Sequence, residues 1–165
     1  HHASSAASDV YKRQVLRHDN KTIFESGAIL IYLADLSGEF YGSNQSLTTQ
    51  WLMAQMGYIG PMLGQHHQFH HYNPGKSDFG EDRYFKIAET IYKNLDDHLS
   101  INEYLADEYS IADIATFPWI ARHPIHDIGL NKYINLLRWY NQISLRPAVL
   151  KGYDLFKDGS IPPPA

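Results

Sequence analysis

The chain has 165 residues, 14 basic and 18 acidic side chains for a formal charge of −4, 44% hydrophobic and 13% aromatic content, and no cysteine. That length and apolar share suit one domain with a packed core, and charge of both signs in both halves leaves no footprint for nucleic acid or an anionic membrane, so a small molecule or another protein is the expected partner. Without cysteine the polypeptide has no disulfide, no thiolate nucleophile and no cysteine-held zinc; no apolar run nears the ~20 residues that span a bilayer, and cytoplasmic residence is the expectation.

Residues 1–14, HHASSAASDVYKRQ, are small, polar and aperiodic. Asp9 to Gln14 is what a transposase end sequence used in sequencing libraries encodes when translated in frame. The segment is therefore expected to be adapter-derived and is set aside from the fold reading, with native sequence expected to continue upstream of Val15. Val15-Leu16-Arg17, the polar His18 to Lys21, and Thr22-Ile23-Phe24 predict a strand, a turn and a second strand. An isolated hairpin is marginal in water, so this one is expected to want more sheet beside it.

Ala28, Ile31, Tyr32 and Asp35 fall at i, i+3, i+4 and i+7, with Ile29, Leu30, Leu33 and Leu36 widening the apolar surface. They predict a helix that is buried on most sides and stops before Gly38. Gly38 to Leu47, GEFYGSNQSL, is turn-rich and reads as a connector. It divides a piece spanning 15–38 from a helical domain spanning 48–155, with 39–47 as linker and 156–165, containing SIPPPA, as a non-helical tail.

Thr48 or Thr49 is the expected cap of a long helix through Trp51, Met53, Met56 and Ile59, which Gly60-Pro61 must kink or end. Asn73-Pro74-Gly75 breaks the chain again, and Tyr84, Ile87, Ala88, Ile91, Tyr92, Leu95 and Leu99 give a clean apolar helical face. Ser110 and Asp113 bracket an S-x-x-D capping box, with Tyr109 and Ile114 placed for the accompanying hydrophobic staple. Asp113 is expected to be structural. The apolar run IATFPWI around Pro118 belongs at the centre of a helical core, Leu136, Leu137, Tyr140 and Ile143 mark a further amphipathic helix, and Pro147 suits the first turn of a last short one. Trp51, Trp119 and Trp139 read as core residues.

Between these elements lies GQHHQFHHYNP, Gly64 to Pro74, which carries four of the ten histidines. On a helix His66 and His70 are i and i+4, as are His67 and His71, so either pair could converge on an ion. Two ligands fall short of the three or four that metals take, and no carboxylate in the segment completes a set. No metal is expected.

The chain has no GxGxxG, no P-loop and no GxSxG elbow. The stretch with local chemical logic is IFESGAILIYL, where Glu25 and Ser26 open a helix. Free backbone N–H groups, a hydroxyl and a helix dipole make a seat for a carboxylate, and Glu25 beside it suits an ammonium. The pair fits an amino-acid zwitterion; equally, either residue could merely cap the helix.

Phe24-Glu25-Ser26-Gly27-Ala28-Ile29-Leu30 with Tyr32-Leu33-Ala34 resembles the join between the fourth strand and third helix of cytosolic glutathione transferases. Tyr109 to Ala115, with Pro118-Trp119 behind it, resembles that family's buried capping box. Gly60 to Gln65 with Phe69, and Asp82-Arg83-Tyr84, resemble the narrower bacterial Nu-class group, which includes glutathione-dependent disulfide-bond oxidoreductases. The resemblance covers Val15 to about Leu155. It implies a mainly α fold: a partial thioredoxin-like α/β piece, hairpin plus helix, followed by an all-α C-terminal domain, in a protein that pairs as a homodimer.

The resemblance also implies that Glu25 and Ser26 bind the γ-glutamyl end of glutathione and that Arg83 reaches the glutathione site, where this group can hold two tripeptides. Gln65, Phe69 and Arg122 are placed near the same cleft. Read without the resemblance, Arg83 is equally a solvated charge or a partner for Asp82. Gln68 stands where the group commonly has histidine. The chemistry implied is reduction of a disulfide or an organic peroxide, or conjugation to a small electrophile, with glutathione as co-substrate. Its thiolate must be stabilised, and the family does this near its N-terminus, so no catalytic residue is expected in this chain, which is expected to be inactive by itself. A family fold kept for assembly, without catalysis, is the alternative.

Overall fold

A computed structural model describes residues 14–154. The expectations for residues 1–13 and for the tail from 155 onward lie outside the described residues. β1 (Val15–His18) and β2 (Lys21–Phe24) form an antiparallel hairpin in which Val15 faces Phe24 and His18 faces Lys21. It leads into α1 (Ser26–Ser37), whose end is set by Gly38 at φ 72 donating its N–H to the Ala34 carbonyl at 2.9 Å, the left-handed stop that glycine adopts without strain. α1 is not buried on most sides: only Gly27 and Ala34 are fully covered, and Leu33 and Leu36 are exposed. One face packs through Leu30, Ile31 and Ala34 on a small cluster with Leu52, Met56 and Ile111, Tyr32 packs against His18 and Lys21 of the hairpin, and Leu33 and Leu36 stay uncovered among the described residues.

α2 (Gln45–Ala54) starts earlier than the sequence predicts. Asn44 is the cap, its Oδ1 accepting the Leu47 N–H at 3.0 Å. Thr48 lies inside the helix, buried, and donates its hydroxyl to the Tyr41 carbonyl at 2.6 Å, which ties the connector down. From there the helical path runs unbroken to Tyr72: a π-helical stretch at Gln55–Ile59, α3 (Gly60–His66), and a second π-helical stretch at His67–Tyr72. Pro61 sits in the first turn of α3. The wide turn just before it absorbs the missing donor and the ring, so the helix changes pitch there instead of ending.

α4 (Asp78–Leu99) is capped by Ser77, whose Oγ accepts the Gly80 N–H at 3.1 Å, and buries Ala88, Ile91, Tyr92, Leu95 and Leu99 as its periodicity predicts. α5 (Ile111–Ile120), the short α6 (His123–His126), a 3-10 turn (Leu130–Lys132), α7 (Ile134–Ser144) and α8 (Pro147–Asp154) complete the described chain. Leu63, Tyr92, Leu95, Phe117, Trp139 and Tyr140 belong to one core joining α3, α4, α5 and α7. The architecture is mainly α with a two-stranded hairpin, as the sequence predicts. Of the tryptophans, Trp139 is fully buried, and Trp51 and Trp119 are half-buried at the core's margin.

The capping box forms as read. The Ser110 N–H donates to Asp113 Oδ2 at 3.0 Å, and Ser110 Oγ accepts the Ala112 N–H at 3.3 Å. The connector is stitched to the same corner, since the Ile111 N–H donates to the Phe40 carbonyl at 2.9 Å. This bond and the one from Thr48 set α1 beside α5.

Candidate functional site

Between α1, the π-helical stretches and α5 lies a cleft of about 860 Å³. Ser26 and Leu30 of α1 line it, as do Gln55, His67 and Tyr72, and Trp119 and Arg122 at the end of α5. The last turn of α5, which carries Trp119, can approach so closely because residue 60 is glycine. A Cβ there would meet the indole at 2.9 Å and the Gln55 amide at 2.7 Å, inside van der Waals contact.

Ser26 opens α1, where the first N–H groups have no intrahelical acceptor and the helix dipole favours an anion. Among the described residues its hydroxyl makes only a long contact to Met56 Sδ at 3.9 Å. Glu25 precedes it at φ 69 and ψ 122 and makes no side-chain cap bond. A positive φ with extended ψ is strained for any residue but glycine. Glu25 therefore occupies a costly conformation in which its exposed carboxylate is spent on no cap.

At the other end of the cleft Arg122 donates from Nη2 to the Tyr72 hydroxyl at 3.0 Å. The two expected site residues brought to the cleft are thus Ser26 and Arg122, with Glu25 adjoining. Gln65, Phe69 and Arg83 do not line it. Gln65 and Arg83 are exposed on α3 and α4, and Phe69 stacks on Tyr84 at 5.3 Å, against Gly80, where a Cβ would be 2.5 Å from the ring.

The four histidines take four different roles. His66 is fully buried and donates its Nε2–H to the His126 carbonyl at 2.8 Å. Its ring stacks face to face on His70 at 4.9 Å, an arrangement that turns the i, i+4 pair into a packed stack instead of converging ligands. His70 lies 3.6 Å from both Glu81 and Asp127. His71 is exposed, edge-on to Tyr72. His67 lines the cleft, stacks on Trp119 at 6.0 Å, and meets His126 Nε2 to Nε2 at 2.6 Å. Among the described residues no three His, Asp or Glu gather as a metal site.

Burial lowers both members of that imidazole pair, His67 to about 4 and His126 to about 2, with neighbouring cations and histidines adding to the shift. Both are neutral near pH 7. Gln55 Oε1 is buried in the same wall without a partner among the described residues. His67, Trp119, Tyr72 and Gln55 line the candidate cleft, and sequence reasoning did not place them there. The sequence holds one clue, the run of polar and aromatic side chains on a helix beside Gly60-Pro61, but nothing in spacing separates His67 from its neighbours.

Residues 75–147 match the family described as glutathione S-transferase, C-terminal domain. The chain is 40% identical over 131 residues to the disulfide-bond oxidoreductase YfcG of Escherichia coli (strain K12), covering 77% of this chain and 61% of that protein. Among solved structures it resembles a glutathione transferase from Pseudomonas putida with one glutathione disulfide bound per subunit, at TM-score 0.73 and 40% identity, over 80% of this chain and 62% of that one. It also resembles a glutathione transferase homolog from Lodderomyces elongisporus with two glutathiones per subunit, at TM-score 0.75 and 31% identity, over 84% of this chain and 70% of that one. The chain thus spans about three fifths of the length of YfcG and of the Pseudomonas protein.

Proposed function

The chain belongs to the glutathione S-transferase family, and on that premise we propose that it serves a glutathione-dependent reduction of disulfides or organic peroxides, with the cleft over α1 holding the tripeptide. The observation that carries the reading is the start of α1: Ser26 and the first-turn N–H groups open on the cleft, and Glu25 is held uncapped beside them in a strained backbone conformation. The hydroxyl and helix end suit the α-carboxylate of the γ-glutamyl group, and Glu25 suits its ammonium. YfcG's name and the glutathione disulfide bound by the Pseudomonas relative favour disulfide chemistry.

In that chemistry a glutathione thiolate attacks one sulfur of the substrate disulfide. The S–S bond breaks, the other sulfur leaves as a thiolate and takes a proton, and a mixed disulfide remains. A second glutathione thiolate attacks the glutathione sulfur of the mixed disulfide, releasing glutathione disulfide and the second substrate thiol. With a peroxide, the same two glutathiones supply the electrons that break the O–O bond to give alcohol and water. A glutathione thiol needs its anion stabilised, since an unperturbed thiol titrates near ~8.5. No residue among those described is assigned that task, because Ser26 faces the other end of the tripeptide. Pairing as a homodimer and a cytoplasmic site of action belong to the same proposal. Exposed Leu33 and Leu36 on α1 and Met53 on α2 are apolar surface that association would cover, and no helix among the described residues is long and apolar enough to cross a membrane.

Calorimetric titration of the chain with glutathione tests the reading. Saturable binding weakened about tenfold by Ser26→Ala, the worth of one charge-assisted hydrogen bond, is expected. No binding by the unsubstituted chain would sink it.

A further inference from the structure

A buried chain of side chains runs from the core to the cleft: the Tyr92 hydroxyl lies 2.6 Å from His126 Nδ1, and His126 Nε2 lies 2.6 Å from His67 Nε2. Tyr92 and His126 are fully buried and His67 nearly so. Two neutral imidazoles that meet nitrogen to nitrogen share one proton, so one ring donates and the other accepts. Tyr92 decides which. Its hydroxyl has no other hydrogen-bond partner among the described residues, and burial pushes its ionisation far up, so it keeps its proton. Were it to accept from His126, its own O–H would be left buried without an acceptor, a penalised state. The hydroxyl therefore donates to His126 Nδ1, which puts the His126 proton on Nε2 and aims it at His67 Nε2. The His67 proton is then on Nδ1.

His67 Nδ1 has no protein partner among the described residues, and His67 forms part of the wall that Arg122 also lines. We propose that Tyr92 and His126 are positioning residues that lock His67 into its Nδ1–H form, and that this donor and the Arg122 guanidinium together receive a carboxylate of the bound ligand. The arrangement explains why a hydrogen-bonded polar chain is retained inside an otherwise apolar core: a free imidazole would present an N–H or a lone pair to the cleft, and the chain permits only the N–H. Ser26 and this pair then mark two anion seats in one cleft, as a ligand with a carboxylate at each end requires. The proposal rests on the glutathione reading only for the cleft being a binding site.

Long-range ¹⁵N–¹H correlation spectra of the labelled chain at neutral pH read the tautomer directly. His67 is expected with a protonated Nδ1 and bare Nε2, and His126 with the reverse; in Tyr92→Phe the single-tautomer signature of His67 should give way to a mixture. His67 protonated on Nε2 in the unsubstituted chain overturns the proposal whether or not the variant folds. Titration with succinate should then shift His67 Nδ1–H and Arg122 saturably, with affinity falling at least tenfold in Arg122→Gln and no response to succinamide, the uncharged counterpart. An equal response to both probes, or none to succinate, also overturns it. Glutathione binding that fails while the succinate response stands counts against the proposed function alone.

Discussion

Asp113 Oδ1 accepts the indole N–H of Trp139 at 2.8 Å, a bond across 26 residues that joins the start of α5 to the middle of α7. The same carboxylate accepts the backbone N–H of Leu105 at 3.0 Å and both the N–H and hydroxyl of Ser110. It is fully buried, and burial raises its pKa while these donors pull it down. One side chain thereby caps a helix, holds a loop and pins a core tryptophan. Asp113→Ala removes the acceptor of four buried donors and should cost about 3–5 kcal/mol, well beyond a simple cap. A fall in the urea midpoint with loss of the native Trp139 fluorescence is the expected reading; a change under about 1 kcal/mol would reduce Asp113 to an ordinary cap.

Glu25→Gly separates strain from function. Glycine takes φ near 70° without penalty, so relieving a conformation that costs about 1–3 kcal/mol should raise the thermal midpoint. Glutathione affinity should fall, because the carboxylate proposed to meet the ammonium is gone. A midpoint that does not rise would mean that Glu25 is not strained, and unchanged affinity would remove it from the site.

Stability should decline in mild acid. His67 and His126 bind protons more weakly folded than unfolded, where their pKa is near 6.5, so the unfolded chain takes up protons first as pH falls. The pair's full contribution is present above pH 6.5 and is lost progressively below it, continuing to about pH 4 for His67 and about pH 2 for His126. Between pH 7 and 5 the loss should be on the order of 2–4 kcal/mol. Urea midpoints at the two pH values check this, and equal stability at both would contradict it.

Gly60→Ala tests the close approach that shapes the cleft. A methyl group 2.9 Å from the Trp119 indole must push it or Gln55 aside, at about 1–3 kcal/mol. The displacement should also weaken glutathione binding, since both residues line the cleft. Full affinity with normal stability would show that Trp119 does not depend on this contact.

Much of the fold was legible because its signals are local. The periodicity of α4, the Ser110–Asp113 box and the glycine stop of α1 each lie within a few residues, and the structure bears them out. The misplaced cap of α2 shows the limit. Asn44 and Thr48 both suit a cap, and the choice fell to Asn44 because Thr48 is drawn to the Tyr41 carbonyl. α7 shows it more sharply. Asp96 on α4 accepts the N–H groups of Asn135 and Leu136 at 2.7 and 2.9 Å, a cap supplied from 39 and 40 residues away. No local pattern carries that information.

The sequence by itself determined the main helices, the capping box and the family, all of which rest on neighbours in the chain or on a motif of fixed spacing. Only the tertiary structure decided what the histidines do. The i, i+4 spacing made His66 and His70 look like a ligand pair, yet their rings stack, and it is His67 that reaches the cleft. Its hydrogen-bond partner, His126, lies 59 residues away on another helix. A side chain's protonation and tautomer follow from what it touches, and packing between distant elements sets those contacts.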